Sequence, residues 1–542
     1  MLNFRFTFLL LFLPALLSGQ TAPELISLAG QSAGKGNFGE AAALYEKAAR
    51  QRDNRPEWLY QAAEHYYRAR DYRHASACYR ESLSELSKSE LSGLRYARSL
   101  KQEGRYTEAV EAFRQYAAQY TGDRKAAVLA AVSNELNGCD LALRLLAEAD
   151  TVPIAADATA MLPLSVNTSS RESAPLLWRD DVLYFTRLAG TEPTLWRTTR
   201  RSGTWQQPAE ARGFPATVAP HLGSGTFTPD GNRFYCTLCD DLPAVDRNTP
   251  GLRLRCELFL LRKTPQGWSE PERLRDYVNL PDQTVLHPFV LHEQGRELLF
   301  FASSREGGLG GLDLYVSQRS LDTDSLDFSL PQNLGPRINS AGDDITPFFD
   351  TDGQTLWFAS NGHPGIGGFD IYRTRRVDGK WLSATHAGLP VNSPYDDYFF
   401  VKKKNGDGVF ISNRLSGTAK TTSQDDDIFE FFPKKMPVPK EELSQSIPPK
   451  LLDYETNPAL SSAQSSTPRS FQVCLELVPD YDPAAARYAA VQTMGKLYAV
   501  PMPEQGLQRI LLGPFADQKQ ASAIAADLRR SGGFPQAFVI RQ

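Results

Sequence analysis

The spacing of hydrophobic and polar positions divides the chain into three regions. From Glu24 to Asp150 apolar residues recur at helical intervals. Phe38, Tyr72 and Tyr106 stand 34 residues apart, as do Ala29, Ala63 and Ala97. Ala41-x-x-x-Tyr45, Ala75-x-x-x-Tyr79 and Ala109-x-x-x-Phe113 keep the same period. A small Ala lets paired helices approach, and an aromatic fills the gap beside it. The pattern predicts three helix pairs and a capping helix near Arg124–Ala149, because a stacked array needs a closed end.

From Leu162 to Phe431 the pattern becomes short β runs between turn residues. One unit returns along it. It reads most plainly as Asp344-Ile345-Thr346-Pro347, Thr351-Asp352-Gly353, Leu356-Trp357-Phe358-Ala359-Ser360 and Phe369-Asp370-Ile371-Tyr372. The copy before it has His287-Pro288, Leu299-Phe300-Phe301-Ala302-Ser303 and Leu312-Asp313-Leu314-Tyr315. The copy after it has Tyr395-Asp396-Asp397-Tyr398, Val409-Phe410-Ile411-Ser412 and Asp427-Ile428-Phe429. Two weaker copies lead, around Ser173-Ala174-Pro175 and Phe227-Thr228-Pro229-Asp230-Gly231. Copies at roughly blade length predict a β-propeller. Trp205, Trp268 and Trp381 mark a further strand in three links.

Val278-Asn279, Ile338-Asn339 and Val391-Asn392 recur between copies, and Val166-Asn167 stands before the first copy with no strand set ahead of it. The last copy stops at Phe431-Phe432 without an outer strand. Residues near Leu162–Asn167 are therefore expected to complete the last blade, which removes a free sheet edge. Five blades result, with six as the alternative. The Asp/Ser-x-x-Pro, Asp-Gly, Ser-x-x-Gly-x-Gly-Gly and Asp-Ile/Leu-Tyr pieces resemble WD40-like propeller repeats of TolB type. That resemblance implies a binding platform. The 34-residue array resembles the tetratricopeptide family, which implies a concave groove for peptide segments.

The third region, residues 469–542, carries Phe471, Val473, Leu475 and Leu477 at alternate positions, which predicts a strand over Phe471–Val478. A helix over Ala484–Met494, strands over Lys496–Val500 and Leu507–Leu512, a helix from Asp517 to Arg530 and a strand over Ala537–Ile540 follow. The order βαββαβ predicts a ferredoxin-like domain. Arg509-Ile510-Leu511-Leu512-Gly513-Pro514-Phe515 resembles the SPOR family, which implies binding to bare peptidoglycan glycan on the open sheet face. Alternation sends Ile510 and Leu512 inward and Arg509, Leu511 and Gln472 outward, with Tyr498 and Phe538 as flat surfaces for sugar rings. These five are the candidate glycan-binding residues.

Composition then limits the partners. A 542-residue chain exceeds what one core supports, so several domains are expected. A formal net charge of −4 without a basic face argues against nucleic acid. Residues 1–19 read as a secretory signal, with Arg5 before the apolar run Phe8–Leu17 and small Ser18 and Gly19 before Gln20. No other stretch is long and apolar enough for a membrane span, so a periplasmic location, in association with the outer membrane and cell wall, is expected. The domain order becomes signal 1–19, helical repeats 20–150, propeller 151–432, linker 433–468 and terminal domain 469–542. Pro and Ser in the linker predict an extended tether.

Six cysteines do not make a disulfide framework at this length. Aligned copies put Cys239 at the end of one strand and Cys256 at the start of its antiparallel partner, so a disulfide is expected between them. Cys236-x-x-Cys239 lacks a second pair or a nearby His pair for zinc. The runs Gly307–Gly311 and Gly362–Gly368 lack the helix that a phosphate loop needs and are read as tight loops. Asp425-Asp426-Asp427 is read as an acidic surface loop. No metal site, cofactor site or catalytic triad is legible.

The first expectation is therefore a non-enzymatic envelope scaffold. Its repeats and propeller hold protein partners, and its SPOR-like end grips peptidoglycan. The domain order is similar to that of Bacteroidetes envelope proteins, some of which serve type IX secretion; that comparison rests on architecture alone. The alternative is a propeller hydrolase or lyase, marked by inward-facing His, Glu or Asp residues in the central channel.

Overall fold

A computed structural model describes residues 20–541, apart from short internal gaps and the longer stretches 84–91, 152–158, 241–254, 416–424 and 434–470. The expected signal and almost all of the expected linker lie outside the described residues. The chain divides into two compact units, Met1–Val132 and Ser133–Gln542.

Seven helices among the described residues make up the N-terminal region: α1 (Ala22–Gly34), α2 (Phe38–Arg50), α3 (Pro56–Arg68), α4 (Tyr72–Leu83), α5 (Ser92–Gln102), α6 (Tyr106–Gln119) and α7 (Lys125–Thr151). Consecutive helices from α1 to α6 pack against one another. Ala29, Ala41, Ala63, Ala75, Ala97 and Ala109 are fully buried, as are the ring-bearing Tyr79 and Phe113. The small positions thus set the helix spacing, as the sequence pattern requires. Buried Glu64 accepts a hydrogen bond from the Tyr79 hydroxyl at 2.7 Å and pairs with Arg95, so its charge is compensated. The division between units falls inside α7, and its residues from Ser133 on belong with the propeller.

Among the described residues five antiparallel sheets form the propeller. The inner strands of blades one to five are Arg171–Trp178, Leu222–Phe227, Val285–Glu293, Asp344–Phe349 and Asp397–Lys402. Each lies beside the inner strands of both neighbouring blades, so the ring closes at five. The fourth strand of blade five comes from the start of the propeller: Thr159–Met161 pairs with Asp427–Phe431. The closing strand thus lies a few residues ahead of the expected Leu162–Asn167. Asn167 still explains why that segment was legible. Its side chain bonds both the N–H and the C=O of Ile428, each at 2.9 Å. Asn279, Asn339 and Asn392 do the same for Leu258, Leu314 and Ile371. Trp205, Trp268 and Trp381 lie in two-residue strands paired to the third strands of blades one, two and four.

The terminal sheet runs in the order Lys496–Met502, Leu507–Phe515, Phe471–Val478, Phe538–Arg541, with all pairs antiparallel. Helix α8 (Gln518–Arg530) packs on it. The helix expected over Ala484–Met494 is not formed; a 3₁₀ turn at Ala486–Tyr488 stands there. The segment is too short to nucleate a helix unaided, and it is pinned by Tyr488, whose hydroxyl donates to Glu476 at 2.5 Å. Val473, Leu475, Ile510, Leu512, Tyr488, Ala521, Ala525 and Leu528 share this domain's core.

Candidate functional site

The centre of the propeller is built by a repeated irregularity. Every inner strand carries a register shift: between Ser173 and Leu176, Leu222 and Ser224, Leu286 and Phe289, Ile345 and Phe348, and Tyr398 and Val401. In four of the five the bulge holds a non-glycine residue at positive φ: Ala174 at 49°, His287 at 57°, Thr346 at 52° and Phe399 at 52°. Each costs about 1–2 kcal/mol against an ordinary strand conformation. A bulge re-aims its side chain, and here the result is contact across the ring. The His287 and Phe399 rings meet edge to face at 4.8 Å, although blades three and five are not neighbours.

The surrounding structure fixes these residues. The backbone N–H of His287 donates to the Thr237 hydroxyl at 3.0 Å, and that of Phe399 to the Thr346 hydroxyl at 3.3 Å. His287 Nδ1 is buried without a hydrogen-bond partner. Burial pushes the imidazole down to about 3, so it is neutral at physiological pH. The residue nevertheless keeps part of its surface accessible, as does Phe399. Two residues ahead of the bulge residue, Asp344 and Asp397 head the inner strands of blades four and five, and Glu172 is the second residue of that of blade one. Burial raises all three carboxyls, Asp344 to about 6.

Other polar motifs prove to hold blades together. Asp313 accepts from the N–H groups of Leu309 and Gly310, and Asp370 from that of Gly367. The glycine loops thus cradle an anion, and that anion is the blade's own Asp. A Cβ at Gly310 would overlap the carbonyl oxygen of Gly342, which explains the glycine. Arg305 and Arg414 reach back to the carbonyls of Val278 and Val391 at 2.9 and 2.6 Å while stacking on the rings of their own blades. The expected acidic surface loop is corrected: Asp426 and Asp427 are buried, and Asp426 pairs with Arg171 at 3.3 Å.

Cys239 and Cys256 are register partners and are joined by a disulfide. Ser303 and Asp313, Ser360 and Asp370, and Ser412 and Asp427 are the register partners just before the residue that the repeated Asn holds; in blade two that pair is Leu238 and Glu257, and the cystine lies one position further out. Cys236 is buried and burial raises its thiol, so it is an inert partner for exchange.

The expected glycan platform is only partly present. Tyr498 pairs with Leu511 and Val500 with Arg509, so these four share a sheet face. Tyr498 and Arg509 are half-buried. Leu511 is 3% exposed and Gln472 1% exposed, so both are corrected from outward to buried. The pleat does alternate, but at these positions the second face is covered as well as the first. Phe538 opens the last strand, and its side chain lies outside the described residues. Among the described residues no group of three or more His, Cys, Asp or Glu is placed to hold a metal ion, and no helix is long and apolar enough to cross a membrane.

Sequence reasoning missed His287 as a site residue. The x-Pro pairs Ala174-Pro175, His287-Pro288 and Thr346-Pro347, at one level of three inner strands, were the available signal, because proline inside a strand marks an edge or a bulge. Of those three preceding residues, His287 carries the titratable group.

No family model matches the chain, and no curated protein matches it. Solved structures similar to part of it include an alpha-L-arabinofuranosidase from Lactobacillus brevis, with TM-score 0.35 and 11% identity over 50% of this chain and 92% of that one. A Bacteroides ovatus xyloglucan-locus GH43B protein gives 0.31 and 16% over 50% and 53%. A Penicillium chrysogenum alpha-L-arabinanase gives 0.32 and 10% over 51% and 97%. Scores of this size transfer no residue and no reaction. The expectation of a non-enzymatic scaffold is corrected here, since the similar structures named are those of hydrolases. The hydrolase alternative is retained.

Proposed function

We propose that the propeller is a hydrolase whose reaction centre is the axial ring at His287. One observation carries this reading: four strained, non-glycine bulges occupy equivalent positions on the inner strands, and one of them carries an imidazole with an unpartnered nitrogen. Strained backbone of this kind persists where the surrounding fold over-determines it, and it clusters at functional sites. Burial alone holds this imidazole low, so water and substrate entering the ring lift it toward the operating pH, where its free Nδ1 accepts a proton from an attacking water as a general base. Entry of substrate past Phe399 replaces the ring contact and brings the reacting group to that nitrogen.

The rest of the chain is read as delivery. The leader at residues 1–19 directs export to the periplasm. The 34-residue recurrence supports a tetratricopeptide-like array that binds envelope proteins. The terminal domain, SPOR-like in its Arg509–Phe515 segment, holds peptidoglycan glycan, with Tyr498 and Arg509 as the half-buried side chains on one face.

The test is direct. Purified mature protein is incubated with arabinan, xylan, xyloglucan and stripped peptidoglycan glycan, and with chromogenic ester and peptide substrates. Product release above a heat-treated control supports the reading. Absence of release from every substrate overturns it.

A further inference from the structure

We propose that helix α1 of a second copy of this chain seats on blade three, at the glycine loop around Leu309. Blade four shows what such a loop holds. The loops of the two blades are built alike. Asp313 accepts from the N–H groups of Leu309 and Gly310, and Asp370 from that of Gly367. An added Cβ at Gly308 would meet Asp313 and the Tyr315 hydroxyl, and one at Gly365 would meet Asp370 and the Tyr372 hydroxyl. Leu309 in blade three therefore stands where Ile366 stands in blade four.

The last part of α7 covers the blade-four loop. Asn134 Nδ2 donates to the Gly362 carbonyl at 3.0 Å. A Cβ at Gly138 would overlap the Gly365 carbonyl oxygen, so helix and loop meet backbone to backbone. Cys139 and Ala142 lie on the same side of α7 and are buried. Beneath them Ile366 is 1% exposed. The equivalent Leu309 is 50% exposed, and Gly307 and Gly308 beside it are exposed too. Blade three thus carries the same seat, uncovered.

The chain also carries a helix of the kind that fills it. Ser27, Gly30, Gln31 and Gly34 share one exposed side of α1. Among the described residues an added Cβ at Gly30 or Gly34 meets no atom within 4 Å. A glycine inside a helix weakens it relative to alanine, and no packing within the described residues requires one at Gly30. Gly30 and Gly34 are four residues apart, as are Gly138 and Ala142. With Gly30 in the place of Gly138, Gly34 falls in the place of Ala142. Ser27 and Gln31 then supply donors for the loop carbonyls, the part that Asn134 plays on blade four. Seat and helix are each uncovered in one chain, so a second copy is sufficient to fill both.

Sedimentation of the purified mature protein over a concentration series tests this. The wild type should self-associate. Leu309→Asp should weaken that association roughly tenfold or more, because a leucine is no longer buried. Gly30→Leu should weaken it as much while raising the melting temperature, because the new side chain blocks the seat and strengthens α1. A mixture of Gly30→Cys and Leu309→Cys chains should form a disulfide between unlike chains on oxidation. A wild type that stays monomeric at every concentration overturns the proposal, as does association unchanged in both Leu309→Asp and Gly30→Leu. Weakening by Leu309→Asp alone, without the cross-link, gives the seat to another occupant and overturns the pairing with α1.

Discussion

Replacing Asn167 by Ala tests the closure of the ring. The side chain is buried and makes three hydrogen bonds: to the Leu162 carbonyl at 3.2 Å, to the Ile428 carbonyl at 2.9 Å, and from the Ile428 N–H at 2.9 Å. The Ile428 carbonyl keeps a second donor, the Leu162 N–H at 2.9 Å. The Ile428 N–H loses its partner, and a buried orphan donor costs about 1–3 kcal/mol. Loss of the remaining bonds adds about 1 kcal/mol, for a total of about 2–4 kcal/mol. Equilibrium urea unfolding of the full chain, followed by near-UV signal, measures it. At about 2–4 °C per kcal/mol for a domain of this size, the melting temperature should fall by roughly 5–15 °C. Asn392→Ala, which breaks the same bonds within the blade-four link, is the control for position. It should cost a similar amount without raising exchange at Thr159–Met161, whereas Asn167→Ala should raise exchange there. A cost below about 0.5 kcal/mol, or equal exchange in both variants, would refute the closure argument.

Three further outcomes follow from the same structure. Replacing Cys239 and Cys256 together by Ser should cost about 3 kcal/mol in the chain-entropy model, read by urea unfolding, and peptide mapping of wild type should find the two joined. Asp344→Asn should remove a pH dependence: a carboxyl raised to about 6 contributes stability that declines as pH rises from about 4 to 6, so the variant's profile should be flatter across that window. Leu511→Asp should unfold the terminal domain, seen by circular dichroism, because a charge at a 3%-exposed position has no partner, whereas Arg509→Ala should leave it folded.

Much of the fold was legible because its devices repeat. Asn279, Asn339 and Asn392 announced Asn167, and aligned strands announced the cystine. The axial ring was not legible, because a bulge reorients His287 through backbone conformation that no side-chain alternation records. Gln472 and Leu511 misled for a related reason: alternation states which residues share a face and is silent on whether the second face is covered. The segment from Ala484 to Met494 has helical spacing but too few turns to hold a helix against the anchoring of Tyr488.

The central claim is that hydrolysis takes place at His287. The most direct measurement compares product release, on whichever substrate is cleaved, by wild type, His287→Gln and Phe399→Leu at matched concentration and matched near-UV signal. General acid–base catalysis by a positioned side chain contributes about 10²–10⁴-fold, so His287→Gln should lose activity on that scale, whereas Phe399→Leu should change chiefly KM. His287→Gln with wild-type kcat would contradict the account.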